Sequence, residues 1–418
     1  MRNTVLCFLL LMFLMPLSTA QEAVSEEDWS QFRGPGGQGH ASARSLPTKW
    51  TDSENVTWKV PIPGKGWSSP VIQGEKIWLT TATEGGRSLR ALCLQRSTGK
   101  IIHNIELFRQ EEIGRIHSKN SYASPTPIIE GNRIFFHFGT FGSASLRNDG
   151  KVLWKNQLKY PHGHGPSSTP VLFKDLLIYN CDGRGENVQF VAALDKNSGK
   201  LRWKRPRILE ARMAYATPLT IEVDGKPQLV SNGGDQVVSY HPLTGKEIWW
   251  LRYDGFSNVP RPVYGLDLVF ICSGYPQATL YAIRPNGRGD VTDSHVAWTL
   301  NRGIPLNPSP LLIGEELYLV SDRGIASCLN GRTGEIHWRE RLGGEYSTSP
   351  VYADGKIFVL NEEGKTTIFK PGKVFNKVGT NQLPGRTLAS IAVHSRAIYL
   401  RTNGQTNGHL YRIEKAGS

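Results

Sequence analysis

The sequence predicts an all-β protein, an eight-bladed β-propeller of four-stranded antiparallel blades, from a recurring step, a recurring turn and an excess of turn formers. The step is Ser/Thr-Pro-apolar. It occurs at Ser69-Pro70-Val71, Thr126-Pro127-Ile128, Thr169-Pro170-Val171, Thr217-Pro218-Leu219, Ser309-Pro310-Leu311 and Ser349-Pro350-Val351, with Arg261-Pro262-Val263 and Ser390-Ile391-Ala392 as degenerate copies. The eight copies lie 40 to 57 residues apart, the length of a propeller blade. The turn is Ser97-Thr98-Gly99-Lys100, Asn197-Ser198-Gly199-Lys200, Leu243-Thr244-Gly245-Lys246 and Arg332-Thr333-Gly334-Glu335, whose Gly supplies the positive φ of a tight hairpin. Glycine (44) and proline (25) together exceed their usual share, roughly 12%, of a 418-residue chain, which argues against a helical protein.

From the N-terminus, residues 1–20 combine Arg2, the apolar run Val5 to Leu17 and the small-x-small site Ser18-Thr19-Ala20, the pattern of a secretory signal peptide cleaved before Gln21. The run is too short for a membrane anchor, so no transmembrane segment is expected in the mature chain. Cys7 lies inside the run with no Leu-x-x-Cys box at the processing site, so a lipid anchor is not indicated. Residues 21–54 read as an extended arm and 55–418 as the propeller. An exported bacterial protein, periplasmic or secreted, and a monomer, is the expectation.

Within each unit the Pro step opens the innermost strand, and a Gly or Asp turn leads into an alternating apolar run such as Glu316 to Val320 or Lys356 to Leu360. Four residues after the turn Gly stands Trp203, Trp249 or Trp338. Trp154 and Trp298 occupy similar strands, and His103 breaks the pattern in the first unit. Their fixed place predicts that these rings dock one blade on the next. The last unit holds only three strands, ending with Gly408 to Arg412, while Asn55 to Val60, bearing Trp58, has no blade of its own. Pairing the two closes the ring with an N-terminal strand and leaves no free sheet edge.

The form Ala-Leu-Asp-x-x-Ser-Gly-Lys-x-x-Trp at Ala193 to Trp203 resembles the tryptophan-docking repeats of the pyrroloquinoline quinone (PQQ) type, over about residues 55–418. That family includes quinoprotein alcohol dehydrogenases and non-enzymatic propellers such as the outer-membrane assembly factor BamB. The lead-in Trp29-Ser30-Gln31-Phe32-Arg33-Gly34-Pro35 also resembles the opening of secreted bacterial PQQ-like propellers. By the resemblance, the dehydrogenases add a vicinal Cys-Cys ring over the cofactor, a calcium held by Glu and Asn, and an Asp base. This chain has no Cys-Cys dipeptide and is short for that subfamily. No catalytic residue and no cofactor is therefore expected, and a PQQ- and calcium-dependent dehydrogenase is the alternative.

Four cysteines follow the signal, enough for two disulfides in any of three connectivities. Aligned on the turn Gly, however, Cys93 and Cys328 fall where other units have Ala193 and Ser239, and Cys181 and Cys272 where others have Ser321 and Asn361. Such small-residue slots favour buried free thiols, with Cys272 and Cys328 the pair to test. His162-Gly163-His164, with Asp182 nearby, offers two imidazoles without a third certain ligand, so no metal is expected. The formal net charge of +13 is spread along the chain, and nucleic acid is not expected as a partner of an exported protein.

If the Pro step starts the innermost strand, the residues before each step gather at one mouth of the channel. They include Lys65, Trp67, Lys119, Asn120, His162, His164, Arg212, Tyr215, Arg261 and Arg386, with acids nearly absent, which predicts a positive mouth. The hairpin loops Thr80 to Ser88, Phe138 to Ser145 and Asp182 to Gln189 fall at the same end, and the Thr-Gly-Lys turns at the other. Variable loops on a rigid scaffold are the usual place for recognition. The expected function is a non-catalytic scaffold binding protein or another envelope polymer through this mouth, with an anionic-glycan-binding propeller as the second alternative. Lys119, Arg212 and Arg261 are expected to be exposed there.

Overall fold

The computed structural model describes residues 28–185, 188–207, 212–403 and 408–416. The expected signal peptide, residues 1–20, and residues 21–27 of the arm lie outside the described residues. Eight four-stranded units, at 71–109, 128–156, 171–206, 219–252, 263–300, 311–341, 351–382 and 392–413, form blades 1 to 8 of a propeller. The last unit contributes three strands, and Val56–Ile62 pairs antiparallel with Gly408–Ile413 to supply its fourth. The ring is thus closed by an N-terminal strand, as the orphan Trp58 segment requires.

Each Pro step feeds an innermost strand, from Val71–Gln73 in blade 1 to Ala392–His394 in blade 8. Proline costs nothing there, because a strand start has no ladder partner for the missing N–H. The hydroxyl before it has a separate purpose. The Ser69 N–H donates to Thr126 Oγ1, Thr126 to Thr169 and Thr169 to Thr217, each at 3.0 Å. Arg261 N–H donates to Ser309 Oγ and Ser309 to Ser349 at 3.0 Å, and Ser349 to Ser390 at 2.9 Å. A belt of hydroxyls therefore laces neighbouring blades around the channel.

At the rim, indoles do the same. A Cβ on Gly99 would lie 2.9 Å from the Trp58 ring, on Gly199 2.6 Å from Trp154, on Gly245 2.7 Å from Trp203 and on Gly334 2.7 Å from Trp298. Each indole N–H also donates to a carbonyl of that next turn: Trp58 to Arg96 at 3.0 Å, Trp154 to Lys196 at 2.9 Å, Trp203 to Pro242 at 3.1 Å and Trp298 to Gly331 at 3.1 Å. Trp338 reaches the Gly372 carbonyl of blade 7 at 3.0 Å. His103, which interrupts the Trp pattern, still takes the docking place: a Cβ on Gly150 of blade 2 would sit 3.0 Å from its Nδ1. Trp249 departs from the expected docking role. Its N–H stays within blade 4 on Gln228 Oε1 at 2.9 Å, because the segment Gly289–Asp290 of blade 5 adds a parallel fifth strand over Glu247–Arg252.

The apolar core consists of layers between blades, one of them built by blades 7, 8 and 1 with Trp29, Leu46 and Trp50 of the arm. All four described cysteines are free and buried inside these blades, Cys272 and Cys328 included. Burial pushes the Cys93 thiol up to about 12 and that of Cys328 to about 11, so neither is a ready thiolate. The hairpin loops are shorter than expected. Lys76–Thr83 pairs with Ser88–Gln95 up to Thr83 opposite Ser88, so only 84–87 is loop. Ser143–Arg147 is likewise strand, leaving a short turn around Gly139–Phe141.

Candidate functional site

Antiparallel pairing places the segments before each Pro step and the loops after each second strand at one end of the channel, and the Thr-Gly-Lys turns at the other. What the sequence did not suggest is the course of the arm. Trp29 N–H bonds the Ile72 carbonyl (2.9 Å) and Ile129 N–H the Ser30 carbonyl (2.8 Å), which ties the arm to blades 1 and 2. It then crosses the channel. The Tyr264 N–H of blade 5 donates to Gln38 Oε1 at 2.8 Å, His40 Nε2 bonds the Leu312 carbonyl of blade 6 at 2.8 Å, and Ala41 N–H bonds the Tyr352 carbonyl of blade 7 at 2.9 Å. The arm closes the channel from the Thr-Gly-Lys side and leaves a cup facing the loop side.

The cup holds about 530 Å³, with Phe32 of the arm among its lining residues. The belt residues Ser69, Thr126, Thr169, Thr217, Ser309, Ser349 and Ser390 line it, together with Trp67, His164, Met213, Tyr215, Phe256 and Tyr275. No Asp or Glu is among the described residues of its lining. A second cleft of about 900 Å³ shares Trp67, His117 and Asn120 with the cup and runs between Lys65, Gly85, Tyr122 and Arg386. The two make one elongated depression.

Lys119, Arg212 and Arg386 are not free cations. Lys119 Nζ lies 3.0 Å from Glu345 and 2.9 Å from Glu362, and Arg386 lies 2.9 Å from Glu362. Glu362 is held below the ordinary carboxylate range despite partial burial, which opposes this, by hydrogen bonds from Ser347, Arg386 and Lys119. Arg212 pairs with Asp235 and, at 3.0 Å, with Asp254, and its guanidinium lies 4.4 Å from the centre of the Phe256 ring. Glu362 and Asp235 come from loops after the second strands, which scanning the pre-Pro segments passes over. Glu345 and Asp254 stand in the pre-Pro segments themselves, so acids there are less scarce than expected from the sequence. The positive mouth expected from the sequence is therefore largely neutralised, at Lys119, Arg212 and Arg386.

Arg261 also departs from expectation. It is 2% exposed and lies beneath the belt, where Nε donates to the Pro218 carbonyl (3.1 Å) and Nη1 to Phe32 (3.0 Å) and Gly37 (3.2 Å) of the arm. Having no hydroxyl, it interrupts the belt and anchors the arm instead. Gly37, at φ +70°, is needed there: a Cβ would lie 1.9 Å from Arg261 Nη1.

The two imidazoles diverge. His164 stacks on Tyr215 with centroids 5.6 Å apart, whereas His162 packs edge-on against Phe141 at 5.2 Å. Asp182 is committed elsewhere, to a fully buried bidentate pair with Arg207 at 2.9 and 2.6 Å. The Asn120 amide donates to the His164 carbonyl at 2.8 Å and braces the cup wall. Lys65 is exposed at the cleft, and Tyr215, largely buried, hydrogen-bonds the His164 backbone at 3.1 Å. Phe32, Met213, Phe256 and Tyr275 were not legible as site residues, because only the arm's path and the depth of the cup select them.

Calcium takes roughly six to eight oxygen ligands, carboxylates among them. The described lining of the cup offers no carboxylate, and the acid behind its wall, Asp322, already accepts from Leu306 N–H at 2.6 Å and from the Asn307 amide. The donor set of a quinoprotein calcium site does not fit these residues.

An eight-bladed ring with tryptophan-docked blades, closed by its own N-terminal strand, is a PQQ-like repeat β-propeller. The family described as outer membrane protein assembly factor BamB matches residues 41–208 and 278–416, and the chain belongs to it. No curated protein sequence matches the chain. Among solved structures it is similar to BamB from Moraxella catarrhalis, at 14% identity and a TM-score of 0.60, covering 85% of this chain and 99% of that one. It is also similar to quinohemoprotein alcohol dehydrogenase from Comamonas testosteroni, at 9% identity and a TM-score of 0.66, covering 94% and 82%. At these identities the likeness is one of fold.

Proposed function

We propose that the chain is an exported, non-catalytic scaffold that binds an extended segment of a protein, or of another envelope polymer, at the loop end of the propeller. The observation that carries this reading is the shape of the site: a cup closed below by the arm and continued sideways into the 900 Å³ cleft. An elongated depression lined by rings and hydroxyls suits a chain-like ligand. The absence of carboxylates from the described lining supports a binding role over quinone chemistry. Membership of the BamB family favours a protein as the partner.

The test is affinity capture from the native envelope with the wild-type chain, a Trp67→Ala/Tyr275→Ala variant and a Lys100→Glu/Lys200→Glu variant of the turn face. Trp67 joins the two cavities and Tyr275, at 54% exposure, stands at the rim. Capture should be lost only in the first variant, whose urea midpoint should stay close to wild type. Loss only in the turn-face variant would place binding at the wrong end. Dye-linked alcohol oxidation on adding PQQ and calcium would replace the scaffold with an enzyme, and salt-sensitive retention on acidic polysaccharide would replace the protein partner with a glycan.

A further inference from the structure

The rim of the cup is neutralised, but its base is not. Thr126, Thr169, Thr217 and Ser390 each accept a backbone N–H from the preceding blade, which uses a lone pair from the wall side. A hydroxyl carries one donor besides its lone pairs. Neither these four nor Ser69 has an acceptor for that proton among the described residues, and all five line the cup. The belt that laces the blades together is thus also a crown of O–H donors facing the channel axis.

Beneath the crown lie Arg33 and Arg261, at 1% and 2% exposure. Their partners are carbonyls: Pro310 at 2.6 Å and Gln38 at 3.1 Å for Arg33, and Pro218, Phe32 and Gly37 for Arg261. No salt bridge joins either to a described carboxylate, and Nε and Nη1 of Arg33 have no partner among the described residues. A guanidinium does not shed its proton in a protein, so two buried ones leave positive charge that carbonyl dipoles offset only in part. Burial pulls both down to about 9, with the charge of Arg261 adding to the effect on Arg33. Donors above, positive charge below and no acid in the described lining make the base complementary to an anionic oxygen.

We propose that the base of the cup is a carboxylate-binding site, and that its occupant is the C-terminal carboxylate of an extended polypeptide lying in the adjoining cleft. This deepens the partner-binding reading and rests on it. Between crown and rim the wall is apolar and aromatic, with Met213, Tyr215, Phe256 and Leu306. That wall accommodates the last residue's side chain, and Lys119, the Lys in the cup's lining, is already paired with Glu345 and Glu362.

The experiment is calorimetric titration of the purified chain with tetraglycine, with tetraglycine amide and with sodium acetate, repeated on Ser69→Ala. Ser69 joins the belt through its backbone N–H, and its Oγ has no hydrogen-bond partner among the described residues, so its removal deletes a donor without cutting the belt. The free acid should bind at least tenfold tighter than the amide, acetate should compete with it, and Ser69→Ala should weaken it several-fold at an unchanged unfolding midpoint. Binding of acetate without the peptide would keep the carboxylate site and replace the polypeptide with a small free acid. Equal binding of acid and amide, or no binding of any of the three, overturns the proposal. If Trp67→Ala/Tyr275→Ala still abolishes envelope capture in that case, the scaffold reading survives and only the carboxylate site falls.

Discussion

His137 is 1% exposed, packed 4.3 Å from the Tyr179 ring centre and bonded through Nδ1 to Ser143 Oγ at 2.8 Å. Burial disfavours its imidazolium and pulls its pKa down to about 3. The unfolded chain binds this proton from about pH 6.5 downward while the folded one does not, so the contribution is complete above that pH and drains as pH falls. Between pH 6.5 and 5 the loss approaches about 1.4 kcal/mol per unit from this one group. His40, His103, His162, His164 and His409 are displaced in the same direction, chiefly by burial, and add to the slope. Urea unfolding of wild type and His137→Phe across pH 5 to 7.5 should show a shallower decline in the variant; parallel curves would mean that His137 is protonated in the fold. The same residue scale is where sequence reading failed at Arg261. Its Pro step named the blade correctly, yet whether a long cation reaches the rim or turns under the belt depends on the arm, some 220 residues away in sequence.

At the scale of the element, the turn glycines separate backbone strain from inter-blade packing. Gly199 and Gly225 have nearly the same φ, +71° and +68°, and both are disfavoured for a residue with a side chain. A Cβ on Gly225 would meet open space, whereas on Gly199 it would press 2.6 Å from Trp154. Gly225→Ala should therefore cost only about 1–2 kcal/mol of αL strain, and Gly199→Ala that plus an overpacking penalty of about 1–3 kcal/mol. The comparison of the two denaturation midpoints reads the docking directly, and equal losses would remove the Trp-on-Gly contact as a source of stability. This layer was legible because it is local and repeated: spacing alone placed Trp58, Trp154, Trp203, Trp298 and Trp338 on neighbouring turns. Trp249 shows the limit. It obeys the same spacing, but the strand that covers it comes from the twelve-residue connection 284–295 in the next blade, which has no counterpart in the other units.

For the whole molecule, the N-terminal segment has two separable tasks, and the sequence disclosed one of them. Val56–Ile62 closes the ring, which a count of strands demands; residues 28–43 floor the channel, which nothing in their composition announces. Removing 1–55 takes Trp29, Leu46 and Trp50 out of the layer shared by blades 7, 8 and 1 and leaves Arg33's partner surface and Arg261 without the arm, while every blade keeps its four strands. Removing 1–62 also strips the outer strand from blade 8, so that Gly408–Ile413 becomes an open edge and Trp58 no longer docks on Gly99. The shorter truncation should unfold in a single transition at a lowered midpoint, with the cup now open at both ends and tetraglycine binding lost with its floor. The longer one should lose cooperativity between blades 8 and 1 and aggregate, because the ladder groups of Gly408–Ile413 then pair between molecules. If both truncations unfold alike, the arm rather than the closing strand holds the ring together, and the division of labour between them is wrong.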